Sequence, residues 1–229
     1  DVNEAVLDHA RLLCQGYIDY FVGTAYSSEE GAPGILAAMV FTGDFAQASA
    51  EADLVSESVF EQLAIKREVH RKLDASCPAH TILTTNSSFL LGSDIENAVT
   101  RGDRFAAMHS YMGSPLVDIV ASGRTSAATL QALETYTRSL QAVPLMLKKE
   151  YPGYVLNAIL GPLLGMAITL VAEGFGSVEQ VDRAWMSYRS ASIGPMGIID
   201  IIGLGLIQSG WKNRPANTID AGLRARVLA

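Results

Sequence analysis

The sequence predicts a two-part chain: an α/β part with a mostly parallel sheet over residues 1–150, then an all-α part over residues 151–229. Three observations predict it. As far as Glu150, short β-rich runs alternate with helical periodicity, the pattern of a sheet whose strands are joined by helices. Beyond Gly153 the β-rich runs stop and helical periodicity alone continues. Between the two stands Tyr151-Pro152-Gly153, where a proline and a glycine mark the change of pattern.

Each element has its own reason. Val2 to Val22 reads as a helix, because Val6, Ala10, Leu13, Tyr17 and Tyr20 recur at steps of three and four. Gly31 to Gly34, with Pro33, predicts a loop. Ala52 to Phe60 is β-rich. Glu61 to Ser76 reads as a helix, with Leu63, Val69 and Leu73 inward and Lys66, Arg67, Glu68, Arg71 and Lys72 mostly outward; Cys77-Pro78 ends it. "HTILTTNSS" is the next strand, with a short helix from about Ser93. "RFAAMHS" and "LVDIVAS" follow as strands. Ser126 caps a helix reaching Leu140, and "AVPLMLKK" is the last strand. Further helices are expected at Tyr154–Glu173, Val178–Tyr188, Gly197–Gln208 and Pro215–Leu228.

Composition narrows the function classes. At 229 residues and 49% apolar, the chain can bury a sizeable core. A net charge of −7 argues against nucleic acid as the main partner, since phosphate binding needs clustered Lys and Arg. Cys14 and Cys77 are too few for a disulfide scaffold or a cysteine-rich zinc site, so no metal is expected and a reducing cytoplasm is the default. The opening "DVNEAV" is acidic and helical, unlike a signal peptide. Tyr154 to Ala172 carries no charge and is long enough to cross a bilayer. Asn157, Pro162 and two glycines interrupt it, so a helix at the centre of a helical domain or at a dimer interface is expected instead, with no membrane partner.

Open α/β sheets bind ligands at the carboxyl ends of their strands. Asn86-Ser87-Ser88 follows "TILTT", and His109 ends "RFAAM". Asn157 falls early in the first helix of the second part, facing a seam where small ligands commonly bind. Each has a plain structural alternative. Asn-Ser-Ser also makes turns and N-caps, a lone His also ends strands, and an Asn also bonds one helix to another. Asp118, between Val117 and Ile119, needs a partner if buried, or faces solvent if the strand alternates that way.

Taken together, these stretches resemble one family. "ADLVSESVFEQLAIKREVHRKLD", "ILTTNSS", "RGDRFAAMH", "PGYVLNAILGPLLGMAITLVAEG", "VDRAW" and "GPMGIIDIIGLG", in that order, resemble the L-3-hydroxyacyl-CoA dehydrogenases. That family includes diketoreductase, L-carnitine dehydrogenase and lambda-crystallin-like members. The resemblance runs from Asp1 to about Gly205. It implies a Rossmann-like dinucleotide-binding part over 1–150 and a helical substrate and dimerisation part over 151–229. It also implies NAD as cofactor and a 3-hydroxy or 3-oxo acid, or its CoA thioester, as substrate. His109 matches the family's general acid/base, a role that suits an imidazole with an ordinary pKa of ~6.5. Asp118, in "LVDIV", matches the carboxylate that orients that histidine. Ser88 matches the serine that binds the substrate oxygen, and Asn157 the asparagine that bonds to the reacting group. On the cofactor side, Asp1 matches the acidic residue on the ribose, Glu61 and Lys66 line the nicotinamide side, and Asn86 sits where cofactor and substrate meet. A homodimer through the helical part is implied too.

Three departures accompany the resemblance. The family's opening strand and Gly-x-Gly-x-x-Gly turn would lie before Asp1, and its closing Gly-Phe-Tyr stretch beyond Ala229, so both ends are expected to be cut. The carboxylate follows His109 at nine residues rather than twelve, and is Asp rather than Glu. In place of an aromatic–aromatic–Asn–Pro stretch stands Ser110-Tyr111-Met112-Gly113. Two other readings compete with an oxidoreductase: a crystallin-like structural or ligand-binding relative without an intact NAD site, and a membrane or helix-interaction module built on Tyr154–Ala172.

Overall fold

The computed structural model describes residues 3–23, 32–111, 114–205 and 207–208. Asp1 and the helix expected at Pro215–Leu228 lie outside the described residues. The chain divides into two compact units, Asp1–Asp53 with Ala75–Thr81, and Leu54–Asp74 with Ile82–Ala229.

The first unit carries α1 (Glu4–Gly23), α2 (Ala32–Ala37) and α3 (Phe45–Ser49). The loop expected over Gly31–Gly34 gives way to α2, which begins at Ala32. A proline is tolerated in a first turn, where its missing N–H has no helical partner. Helix α3 has no counterpart in the sequence reading. It is a five-residue helix, capped by Asp44, whose side chain accepts the N–H of Gln47 at 3.0 Å.

The second unit holds β1 (Leu54–Glu57), most of α4 (Leu63–Ser76), β2 (Ile82–Thr85), α5 (Gly92–Ile95), β3 (Phe105–Ser110), β4 (Leu116–Ala121), α6 (Ala127–Ser139) and β5 (Val143–Leu147). Helices α7 (Leu156–Ala172), α8 (Val178–Arg189) and α9 (Pro195–Ile202) follow. The five strands pair in chain order. β1, β2 and β3 run parallel, as do β4 and β5; β3 and β4 are antiparallel, the one reversal in the expected parallel pattern. A connection from Tyr111 to Pro115 is too short for a parallel crossover, which needs a dozen or more residues. That reversal places His109 directly opposite Asp118.

The sheet centre is built from Phe105, Ala106, Ala107, Ile119 and Val120, all buried. Leu133 of α6 packs on Ala106, Val117 and Ile119, and Tyr154 packs on Ala107 and Val120 from the other cluster. Ser126 caps α6 as expected, accepting the N–H of Thr129.

Two expectations are corrected. Lys66, expected to face outward on α4, is 1% exposed, and the buried face of that helix runs Lys66, His70, Leu73. A buried carboxylate at the end of β1, Glu57, needs a cation, and this requirement outranks the apolar pattern. Tyr154, expected inside the long apolar helix, precedes it in a left-handed turn with φ 49°, next to Gly153 at φ 86°. Its buried hydroxyl donates to the Ser87 carbonyl at 2.9 Å, an anchor that a helical Tyr154 would lose. Among the described residues, no helix is long and apolar enough to cross a membrane.

Candidate active site

The site grows from the carboxyl ends of β1, β2 and β3. The N–H of Asn86 donates to the Glu57 carbonyl at 2.8 Å, prolonging the β1–β2 ladder by one step. The Asn86 side chain then accepts the N–H of Ser110 at 2.9 Å, tying the end of β2 to the end of β3. These backbone ties fix where Ser88 and His109 stand. Ser88 Oγ lies 3.0 Å from Nε2 of His109, within hydrogen-bond reach.

The imidazole is buried and has ring neighbours. Tyr111 meets it edge-on at 4.5 Å, and Tyr154 lies 5.1 Å away at a 32° tilt. Burial pushes the His109 imidazole down to about 4, while the negative charge of Glu61 acts the other way. His109 is therefore neutral at pH 7, with one ring nitrogen able to accept a proton.

Asp118 is fully buried and stands opposite His109 across the β3–β4 pair. Its Oδ2 is 4.0 Å from Nδ1 of His109, beyond a hydrogen bond. The Tyr111 hydroxyl donates to that same Oδ2. Nδ1 of His109 and Oδ1 of Asp118 have no hydrogen-bond partner among the described residues. Burial raises the Asp118 carboxyl above its ordinary range, against the hydrogen bond from Tyr111. Burial likewise raises the Tyr111 phenol, with Asp118 adding to the rise; the backbone N–H groups of Leu156 and Asn157 face its oxygen and oppose it. Asn157 is thus carried to the site by the first turn of α7.

Below this group lies a buried charged network. Glu57 accepts from Nζ of Lys66 at 2.9 Å, from Thr85 at 2.8 Å and from the Val59 N–H at 2.7 Å, and faces His70 at 3.3 Å. Burial alone would raise the Glu57 carboxyl, but bonds from His70, Lys66 and Thr85 and the Lys66 charge outweigh it and bring it to about 2. Lys66 also reaches Glu61 at 3.3 Å. Glu61 in turn accepts the Ser87 hydroxyl and the N–H groups of Phe89 and Leu90, holding the segment that carries Ser88.

The structure thus brings Ser88, His109, Asp118, Tyr111 and the start of α7 into one cluster, with Asn86 and Glu61 beside it and Lys66 beneath. Tyr111 and Tyr154 are the residues that sequence reasoning missed. The signal for Tyr111 was strand alternation, which puts residues 109 and 111 on one face. For Tyr154 it was the Pro152-Gly153 turn just before it. Among the described residues no group of His, Cys, Asp and Glu is arranged to hold a metal ion.

Comparisons with known proteins agree with this geometry. Residues 1–151 match the family model of the 3-hydroxyacyl-CoA dehydrogenase NAD binding domain, and residues 153–228 that of the 3-hydroxyacyl-CoA dehydrogenase C-terminal domain. The mitochondrial hydroxyacyl-coenzyme A dehydrogenase of Homo sapiens is 33% identical over 187 residues, covering 79% of this chain and 59% of that protein. A 3-hydroxybutyryl-CoA dehydrogenase of Clostridioides difficile is 33% identical over 158 residues, covering 68% of this chain and 56% of that one. The chain therefore spans less than two thirds of the length of these relatives. A solved diketoreductase superposes on all of this chain and 80% of its own, with a TM-score of 0.85 and 32% identity. Two family models meeting at the Pro152 turn, and a Ser–His pair at the ends of parallel strands, lead to one conclusion: the chain belongs to the 3-hydroxyacyl-CoA dehydrogenase family.

Proposed function

We propose that the protein is an NAD-dependent oxidoreductase that interconverts a 3-hydroxy and a 3-oxo acid, or its CoA thioester. The observation that carries this reading is the contact between Ser88 Oγ and Nε2 of a buried, neutral His109. In oxidation His109 takes the proton of the substrate hydroxyl at Nε2, and in reduction it returns that proton to the oxygen. Ser88 donates to the same substrate oxygen and keeps it beside Nε2. Asp118 steadies the imidazole once it is charged, and Asn157 bonds to the reacting group from α7. Bound NAD supplies the acceptor for the hydride leaving C3. The residues present fit such a group: half-buried Asn86 and Ser88 and the partly exposed Glu61 line the carboxyl ends of parallel strands, where open α/β sheets take dinucleotides. Lys66, buried against Glu57, serves the cofactor side by holding Glu61 in place. Asp1 would meet the ribose.

The division of labour we favour falls near Tyr151–Gly153, with residues 1–150 on the cofactor side and 151–229 forming the helical part. The two family models, meeting there, support it. A homodimer through α7 is part of the same proposal. Val155, Ile159, Met166 and Leu170 follow one another at helical spacing and are 43%, 63%, 48% and 37% exposed, an apolar stripe that a second copy would cover. We place the protein in the cytoplasm, a reducing compartment in keeping with the thiols Cys14 and Cys77.

The test is steady-state turnover of the full-length protein with NAD and 3-hydroxybutyryl-CoA, and with free 3-hydroxybutyrate. NADH formation with either one supports the reading and tells thioester from free acid. No turnover with either, and no NADH consumption with the 3-oxo counterparts, overturns it.

A further inference from the structure

One carboxylate oxygen in this site has two claimants. Oδ2 of Asp118 is the oxygen that faces Nδ1 of His109, 4.0 Å away, and it is also the oxygen that accepts the Tyr111 hydroxyl. Tyr111 does not come to Asp118 by chance contact. Its ring stands edge-on against the His109 ring, and its oxygen faces the backbone N–H groups of Leu156 and Asn157 at the start of α7. Those N–H groups belong to a helix first turn, where backbone donors have no partner within the helix. The phenol oxygen thus stands beside the N–H groups at the start of α7 while its own hydrogen goes to Asp118.

We propose that Tyr111 is a positioning residue that holds Oδ2 of Asp118 in competition with Nδ1 of His109, and so sets how firmly His109 keeps a proton. The proposal rests on His109 being the acid/base of the reaction. Oδ2 of Asp118 stops 4.0 Å short of Nδ1 of His109, and the hydrogen bond it does accept comes from the Tyr111 hydroxyl. While the phenol holds Oδ2, His109 lacks a full carboxylate partner and stays a weak base. When His109 gains a proton, Nδ1 becomes a charged donor and draws Oδ2 away from the phenol.

The groups facing His109 are few and named. Asp118 comes from β4, Tyr111 from the residue after β3, Tyr154 from the turn before α7 and Glu61 from the segment before α4; Glu150 acts on Tyr154. Burial lowers His109 and Glu61 raises it. A carboxylate released by Tyr111 adds a second raising influence at closer range.

The experiment is an NMR titration of the His109 ring, without substrate, in the full-length protein and in Tyr111→Phe. The expected result is a midpoint about one pH unit higher in Tyr111→Phe, with no such rise when the same substitution is made in Asp118→Asn. An unchanged midpoint in a folded Tyr111→Phe, or an equal rise in the Asp118→Asn background, overturns the proposal. Should Tyr111→Phe fail to fold, Asp118→Asn alone decides. A midpoint lowered by less than about half a unit agrees with a carboxylate held by Tyr111, and a larger fall contradicts it. The acid limb of kcat/KM for oxidation is expected to move up with the midpoint in Tyr111→Phe. The ring titration needs no turnover, so absence of NAD-linked activity would sink the functional reading without touching the Tyr111 result.

Discussion

Ser88 Oγ and Nε2 of His109 stand 3.0 Å apart, at the ends of two neighbouring parallel strands. Their separation does not depend on their own contact alone, because the Asn86 side chain accepts the Ser110 N–H and ties the two strand ends together. A hydroxyl and a neutral imidazole at that separation share one proton, and a substrate oxygen beside both would be bound and deprotonated at one point.

Ser88→Ala should therefore lower kcat by roughly 10- to 100-fold, since one hydrogen bond to the reacting oxygen is lost while the base stays. Ser88 is half-buried, so the melting temperature should change little. Parallel assays and thermal melts separate the two effects.

The His109 imidazole, lowered to about 4 by burial, makes stability pH-dependent. In the unfolded chain it titrates near ~6.5. Above that value both states are neutral and the full stability is present. Between about 6.5 and 4 the unfolded chain binds a proton that the folded one refuses, so stability falls as the pH falls, by on the order of 3 kcal/mol in total. Denaturant unfolding at pH 7 and pH 4.5 should show the loss, and His109→Gln should show less of it.

Lys66→Met should destabilise the fold by about 3–5 kcal/mol, because it leaves Glu57 buried without its charged partner. The carboxyl lowered to about 2 adds a sign: Glu57 contributes stability at pH above about 4.5, and that contribution is lost as the pH falls through 2. Chemical denaturation of the variant measures the first, and an acid series of the parent the second.

Ile159→Glu places a charge in the exposed apolar stripe of α7. Sedimentation should show a dimer for the parent and a monomer for this variant, with an unchanged far-UV spectrum. A parent that sediments as a monomer would remove the dimer from the account.

Much of this was legible in the sequence. The stretch Asn86-Ser87-Ser88 and His109 stand out because short β-rich runs end just before them, and the family resemblance singles out Ser88 within that stretch. Asp118 stands out as a carboxylate in an apolar run, but alternation leaves burial and exposure both open, and its distance from His109 depends on an antiparallel pairing that a single sequence does not reveal. Apolar periodicity sets Lys66 on the outer face of α4, but it says nothing of a buried Glu57 that must be neutralised, and Lys66 turns inward to meet it. Tyr111 enters the sequence only within the Ser110-Tyr111-Met112-Gly113 departure, although the strand period sets residues 109 and 111 on one face. Apolar character alone carries the helix back to Tyr154, whereas the structure turns Tyr154 out in a left-handed conformation with its hydroxyl on the Ser87 carbonyl.

The most direct measurement is kcat for NAD-linked oxidation of a 3-hydroxyacyl substrate by the full-length protein and by His109→Asn. Loss of the proton acceptor should cut turnover at least ~100-fold, with the substrate KM little changed. A His109→Asn protein that turns over at the parent rate would contradict the account, since the proton would then leave by another route.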